Sequence, residues 1–109
     1  MVANFSGGSV TIYANAATTN GDVAPVAVIS GVNTEIQSPT QIVLNNATTT
    51  GDLYLADGAA GGVLIFAGLG SANGNINATR TISGSNTGLA RSGGVGPFTA
   101  KGIALDTTR

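Results

Sequence analysis

The chain contains the same stretch of sequence twice, at a constant separation of 53 positions. Residues 10–34 and residues 63–87 align without a gap, and 10 of these 25 positions are identical. A repeat of this length indicates an array of one supersecondary unit, which restricts the fold more than any single residue does. The sequence therefore predicts two copies of one unit, repeat 1 at about 1–53 and repeat 2 at about 54–109.

Composition favours strands and turns as the content of that unit. Apolar residues make up 42% of the 109 residues and charged residues only 8%, far below the roughly 25% of a typical soluble domain. Gly, Asn and Thr occupy most of the remaining positions; Gly and Asn tolerate positive φ in tight turns, and Thr favours strands. No apolar pattern with a 3.6-residue period is long enough for a helix. The sequence predicts an all-β fold.

Eight short strands are expected, four for each unit. We name them A to D, so that the chain order is B-C-D-A-B-C-D-A. Strand A of the first set, Gln41-Ile42-Val43-Leu44, is a continuous apolar run, as expected of a strand buried on both faces. The predicted bounds, in chain order, are 2–5, 10–14, 26–30, 41–44, 53–57, 63–67, 78–83 and 103–105.

The spacing of the last strand departs from the repeat. Ile42 and Ile103 align at a separation of 61 rather than 53, so eight extra residues fall within 88–101. The first B strand has no A before it, and the last A has no B after it. Each would expose an unpaired row of backbone N–H and C=O groups, which folded proteins avoid. A single cut between an A and a B strand accounts for both ends.

Four segments resemble the strands of a β-propeller blade of the NHL-like kind. These blades follow the order G-I-A-x-D, L-Y-V-A-D, I-x-V-F and an outer strand ending in I-x-G. The matching segments here are Gly102-Ile103-Ala104-Leu105-Asp106, Leu53-Tyr54-Leu55-Ala56-Asp57, Val63-Leu64-Ile65-Phe66 and Thr79-Arg80-Thr81-Ile82-Ser83-Gly84. The resemblance covers nearly the whole chain and implies an architecture, but it is not tied to one activity.

Two blades cannot close a ring, because propellers have four to eight blades around an axis. The resemblance therefore implies either an excerpt of a longer protein or association of several chains. With the cut between A and B, strand A of one chain would complete the blade begun by the next, in head-to-tail pairing that closes when the rotation allows it. A homotrimer with six blades is expected first and a homotetramer with eight blades second. A β-solenoid is the competing fold, although 53 residues is long for one rung.

Charge and cysteine content exclude several classes of function. The net charge is −1 and there is no Cys, so disulfides, thiolate metal sites and a Cys nucleophile are excluded. The scattered cations Arg80, Arg91, Lys101 and Arg109 make no basic patch for nucleic acid. No run of 18 apolar residues predicts a transmembrane helix, and no membrane partner is expected. No signal peptide is recognised at the N-terminus; the composition is compatible with an exported or surface bacterial protein.

Asp57 and Asp106 end a B and an A strand, and Asn4 and Asn45 occupy the equivalent positions. Repeated oxygen donors at strand ends could bind Ca²⁺ or substrate hydroxyls. The favoured interpretation is structural: an Asp after a strand caps a turn by accepting backbone N–H groups two residues on. No Ca²⁺-loop spacing is present, and no metal or other cofactor is expected.

Other candidate ligand contacts lie in the D-to-A loops, which should open on the same ring face as the B-to-C loops. They are Asn33, Thr34, Asn86, Thr87 and, in the longer loop, Arg91. The recurring Asn20-Gly21-Asp22 and Asn73-Gly74-Asn75 are interpreted as turns. Tyr13, Phe66 and Phe98 are expected to pack between blades.

Three functions follow from these expectations. The first is a structural module without catalytic activity, natural or engineered from a repeat array, which assembles into a closed propeller. The second is a lectin-like module that binds a small polar ligand in the top-face loops. The third is a lactonase- or hydrolase-type propeller with an axial metal, although no facing carboxylate pair, nucleophile elbow or phosphate loop is recognisable.

Overall fold

The computed structural model describes residues 1–45, 51–89 and 101–106. Within these residues the protein is all-β, with no α-helix and three short 3₁₀ turns. Two antiparallel sheets follow each other along the chain, the first with three strands and the second with four. The prediction of an all-β fold is confirmed for this part of the chain. None of the described helical turns is long and apolar enough to cross a membrane.

Each sheet is a simple meander in which sequential strands are neighbours. The first sheet contains β1 (Val2–Asn4), β2 (Ser9–Ile12) and β3 (Ala27–Ser30). The second contains β4 (Pro39–Asn45), β5 (Asp52–Asp57), β6 (Gly62–Phe66) and β7 (Arg80–Ser83). The 3₁₀ turns are Val32–Thr34, Leu69–Ser71 and Ser85–Thr87. The predicted strand bounds differ from these by one or two residues, which is usual for strand ends.

The pairing register repeats at the same separation of 53 positions as the sequence. Val10 pairs with Ile29 in the first sheet, and Val63 pairs with Ile82 in the second. Likewise Ala3 pairs with Val10, and Ala56 with Val63. Since a slip of one residue would turn every side chain to the opposite face, equal register places equivalent side chains on equivalent faces of the two sheets.

The hydrophobic core lies between the two sheets. Val10 and Ile29 on one face of the first sheet are fully buried, in one cluster with side chains of the second. The second sheet contributes four buried side chains from β5 and β6, namely Leu53, Leu55, Leu64 and Phe66. Their cross-strand partners, Leu53 with Phe66 and Leu55 with Leu64, place all four on one face of the sheet. The sheets therefore pack face to face.

A turn of the second sheet also continues the first sheet beyond β3. Gly74 forms a parallel bridge with Ile29. The Gly74 N–H donates to the carbonyl of Val28 over 2.6 Å, and the Ser30 N–H donates to the carbonyl of Gly74 over 3.1 Å. The outer edge of the first sheet is thus covered by the loop between β6 and β7.

Strand β4 corrects one prediction. The run 41–44 was expected to be buried on both faces, but Ile42 and Val43 are only half-buried and Leu44 is 36% exposed. The reason is its position: β4 is an edge strand with β5 on one side. In the described sheets no strand pairs with its other edge, and β1 of the first sheet lies close to it.

The last predicted strand, 103–105, is also corrected. Residues 101–106 belong to neither sheet. The Ile103 N–H donates to the side-chain Oε1 of Gln41 over 3.1 Å, so this amide bonds a side chain and not a strand backbone. A β-strand forms by pairing in register with the edge of a neighbouring strand, and residues 101–106 make no such pairing with the described strands. The residues that the structure describes contain seven of the eight predicted strands.

Candidate functional site

The loops that were expected to share one face do lie at one end of the sheets. Ser9 pairs with Ser30, so the loop before β2 and the loop after β3 emerge side by side. A Cβ added to Gly8 would lie 3.3 Å from the carbonyl oxygen of Ile36, which shows how closely the two loops approach. They border an open cleft of about 580 Å³, lined by Gly7, Gly8, Gly31, Val32, Glu35, Ile36, Gln37 and Ala60.

Asp57, at the end of β5, is fully buried next to this cleft. Its Oδ2 accepts the N–H of Gln37 over 2.8 Å, and both carboxylate oxygens lie 3.1 Å from the N–H of Ser38. Its Oδ1 also accepts the N–H groups of Ala59 and Ala60 over 3.1 and 2.9 Å. The bond to Ala59, two residues on, matches the turn-capping interpretation. One carboxylate thus joins two loops through four amides and supplies charge-assisted bonds.

Asn4 stands at the position equivalent to Asp57 but makes different contacts. Its Nδ2 donates to the hydroxyl of Ser9 over 3.2 Å and reaches that of Thr11 at 3.5 Å. These bonds remain within the first sheet. In the described residues, the junction between loops that Asp57 organises has no equivalent at Asn4.

Asn33 and Thr34 lie together in the 3₁₀ turn after β3, as the sequence implies. The Thr34 hydroxyl is fully buried, donates to the carbonyl of Gly31 over 2.7 Å and accepts the N–H of Ile36 over 3.2 Å. The exposed Asn33 donates its backbone N–H to Oδ1 of Asn75 over 2.7 Å. The polar atoms of Thr34 are therefore used inside the loop, whereas the side chain of Asn33 faces solvent.

Asn86 and Thr87 form the same turn in the second repeat, but with more exposure. The Thr87 hydroxyl donates to the carbonyl of Gly84 over 2.6 Å and accepts the N–H of Leu89 over 3.2 Å. Both side chains are exposed, and neither lines the cleft. The two Asn-Thr pairs thus occupy separate loops. Arg91 and Phe98 lie outside the described residues.

The two Asn-Gly turns have the positive φ that their glycines allow, 85° at Gly21 and 77° at Gly74. The second turn does more than reverse the chain. Asn73 accepts the N–H of Val28 through Oδ1 over 3.0 Å, and Asn75 accepts the N–H of Asn33. Its side chains therefore bridge the two sheets, a role that sequence reasoning missed because it depends on a tertiary neighbour.

Among the described residues, Glu35 is the one carboxylate that lines the cleft, and it was not among the predicted site residues. It adopts a left-handed conformation with φ of 61° and is exposed. Asn and Asp are several-fold enriched in that region, whereas Glu is uncommon there. No local sequence signal marks this position.

Phe66, expected to pack between units, is buried in the core between the sheets, and Tyr13 is half-buried. Within the described ranges, no three His, Cys, Asp or Glu side chains group in a way that could hold a metal ion. No family model, no curated protein and no solved structure matches this chain.

Proposed function

We propose that this protein is a structural, self-assembling β-propeller module without catalytic activity. In this proposal the two sheets are consecutive blades, and several chains close one ring. The support comes from the contact between the two sheets. In that contact the face of the first sheet that carries Val10 and Ile29, here called the trailing face, packs on the face of the second sheet that carries Leu55 and Leu64, here called the leading face. Because the sequence repeats, the second sheet also has a trailing face and the first sheet also has a leading face.

On the trailing face of the second sheet, Ile82 and Val63 are less covered than their counterparts in the first sheet, whereas Ile65 on the same face is buried and its counterpart Ile12 is half-buried. Ile29 is fully buried under the second sheet, whereas its counterpart Ile82 is 48% exposed. Val10 is fully buried, whereas Val63 is half-buried. Burying an apolar side chain of this size is worth about 1.5–3 kcal/mol. Covering Ile82 as Ile29 is covered would therefore stabilise the protein by a similar amount.

The leading face of the first sheet is likewise more exposed than the leading face of the second. Leu55 and Leu64 are fully buried against the first sheet. Their counterparts are Val2, which is 48% exposed, and Thr11, which is half-buried. Packing the trailing face of one chain on the leading face of the next would repeat the contact that already exists inside the chain. The exposure of Ile82 and Val2 is the observation on which this proposal mainly rests.

Strand exchange would add backbone bonds to that packing. Ile42 pairs with Leu55 where β4 adds to β5. By the alignment of Ile103 with Ile42, residues 103–105 would add to the β1 edge of a neighbouring chain, with Ile103 opposite its Val2. Such pairing would satisfy a row of backbone groups on each partner.

Head-to-tail contacts of this kind form a ring when the rotation closes. Three chains with two blades each make six blades, and four chains make eight. Both totals lie within the range known for propellers. We propose the homotrimer, with the homotetramer as the alternative ring.

Native mass spectrometry of two matched variants tests the proposal. Ile82→Asp places a charge on the face proposed to be covered, and burying an unpaired charge is costly. Val32→Asp is the control, because Val32 is 86% exposed and lies in the 3₁₀ turn after β3, outside the face proposed to be covered. We expect the wild type and the control to give the mass of a ring. We expect Ile82→Asp to give the mass of a single chain. Rings from Ile82→Asp, equal in stability to the wild type, would overturn the proposed face.

A second function, binding of a small polar ligand, is favoured by the cleft at the loop end. Its lining combines glycine backbone with the carboxylate of Glu35, and ligand sites are typically concave with a few polar groups. A glycan array screened with the wild type and with Glu35→Gln tests it. We expect hits that the substitution weakens. An array without hits would remove the lectin-like function and leave the structural one untouched.

A further inference from the structure

We infer that the turn Asn20-Gly21-Asp22 is a docking element that binds strand β7 and Gly84 of a second copy of this chain. The inference rests on the proposed assembly and specifies a contact within it. It starts from an interface that exists inside the chain, where the equivalent turn Asn73-Gly74-Asn75 binds β3 and the loop after it.

Four hydrogen bonds define that internal interface. Two join backbones: the Gly74 N–H donates to the carbonyl of Val28, and the Ser30 N–H donates to the carbonyl of Gly74. Two use the flanking side chains as acceptors. Asn73 Oδ1 accepts the N–H of Val28 over 3.0 Å, and Asn75 Oδ1 accepts the N–H of Asn33 over 2.7 Å.

A close steric fit accompanies these bonds at Gly31. A Cβ added to Gly31 would lie 2.5 Å from Cγ and Oδ1 of Asn75 and 2.8 Å from its Cβ. The side chain of Asn75 therefore occupies the space that any other residue at Gly31 would fill. A glycine is required there both by this contact and by its φ of 119°.

The receiving half of this interface is present a second time. Gly84 has φ of 111° and ψ of 168°, against 119° and 167° at Gly31. The hydroxyls of Thr34 and Thr87 bond the carbonyls of these glycines in the same way. At Gly84, however, an added Cβ would meet nothing within 4 Å in the described residues. The site has the shape of the occupied one and is open.

The docking half is present a second time as well. Asn20, Gly21 and Asp22 are all exposed, and Gly21 has φ of 85° against 77° at Gly74. An amide oxygen at position 20 and a carboxylate oxygen at position 22 are both acceptors. The turn already has the conformation and the acceptors that the internal turn uses, so little ordering is needed for binding.

Transferring the internal bonds gives a complete set of contacts for the interface. Asn20 Oδ1 of one chain accepts the N–H of Thr81 of the other, and Asp22 accepts the N–H of Asn86. The backbone of Gly21 exchanges two bonds with the carbonyl of Thr81 and the N–H of Ser83. The register supports this, because β7 pairs with β6 as β3 pairs with β2.

Amide hydrogen exchange at several protein concentrations tests the inference, together with the native mass. In the wild type we expect the amides of Thr81, Ser83 and Asn86 to become protected as the concentration rises. The equivalent amides of Val28, Ser30 and Asn33 serve as the internal control, since the turn 73–75 protects them at every concentration.

The double variant Asn20→Ala, Asp22→Ala removes both side-chain acceptors from an exposed turn. We expect it to weaken association by about tenfold or more at each contact and to remove the concentration-dependent protection at the three amides. Asp22→Asn, which copies Asn75, should retain both. This rescue separates a specific acceptor from a general effect of surface substitution.

Two results would overturn the inference in different ways. If the wild type assembles while the three amides exchange rapidly at all concentrations, the docking turn is wrong and the proposed assembly stands. If the wild type remains a single chain at every concentration, the proposed assembly fails and the docking turn fails with it.

Discussion

Strands β3 and β7 occupy equivalent places in the two sheets, and they differ mainly in what lies beside them. Both are outer strands, and both pair with their inner neighbour in the same register. Ile29 in β3 is fully buried, while Ile82 in β7 is 48% exposed. The turn 73–75 covers the edge of β3, and every residue of β7 is exposed. Identical local structure has thus been placed in two environments within one chain.

The comparison of β3 with β7 shows that the pairing register of a strand and the burial of its side chains have separate causes. Register follows from the alternation of side chains and from the turns between strands, which the repeat duplicates. Coverage follows from having another sheet next to the strand, and among the described residues only the first sheet is followed by another. Equivalent substitutions at two positions 53 residues apart therefore measure how much a covering sheet changes stability, because the local structure at the two positions is the same.

The largest effect is expected at the pair Asp57 and Asn4. Asp57→Ala would leave four partly buried amides without their charged acceptor, and a hydrogen bond to a charged group is worth about 1.5–3 kcal/mol. We expect the free energy of unfolding to fall by about 4 kcal/mol or more. Asn4→Ala, which removes only bonds to two hydroxyls, should cost about 1 kcal/mol or less. Urea unfolding followed by circular dichroism measures both, and equal losses would contradict the assigned role of Asp57.

The next effect is expected at Ile29 and Ile82. Ile29→Ala removes a fully buried side chain and should lower the free energy of unfolding by about 3 kcal/mol. In solution dilute enough to separate the chains, Ile82→Ala should cost about 1 kcal/mol or less. At high concentration the same substitution should weaken association about tenfold. Analytical ultracentrifugation beside thermal unfolding separates these effects, and an Ile82→Ala variant that associates like the wild type would break the comparison.

A smaller effect is expected at the two glycines with matching dihedral angles. Gly31 and Gly84 have φ of 119° and 111° with ψ of 167° and 168°, a backbone region that essentially only glycine adopts, so alanine at either position costs about 1–3 kcal/mol. Gly31→Ala also forces Asn75 to move and should cost about 1 kcal/mol more than Gly84→Ala in dilute solution. Chemical unfolding of the two variants checks the difference. If Gly84→Ala is the more destabilising in dilute solution, the open site at Gly84 is wrong.

The repeat predicted much of the fold because its signal is local. The eight-strand pattern located the seven strands of the described residues, and the separation of 53 positions also holds for the pairing register. The turn-capping interpretation of Asp57 also follows from a local rule, since an Asp after a strand often bonds amides two residues on.

The features of the fold and of the site that the sequence did not predict depend on contacts between distant parts of the chain, which no local sequence pattern encodes. The partial exposure of Ile42 and Val43 reflects the edge position of β4. The segment 103–105 has strand-like sequence but pairs with neither of the two described sheets. The side chains of Asn73 and Asn75 bond β3 and its loop across some forty positions of sequence. Glu35 lines the cleft without any motif around it.

The mass of the wild-type protein in solution, measured by sedimentation equilibrium over a range of concentrations, tests the central claim most directly. Repetition of the internal contact between chains predicts a closed species of about three times the 10.6 kDa of one chain, or four times for the larger ring. A mass of one chain at every concentration would contradict the account.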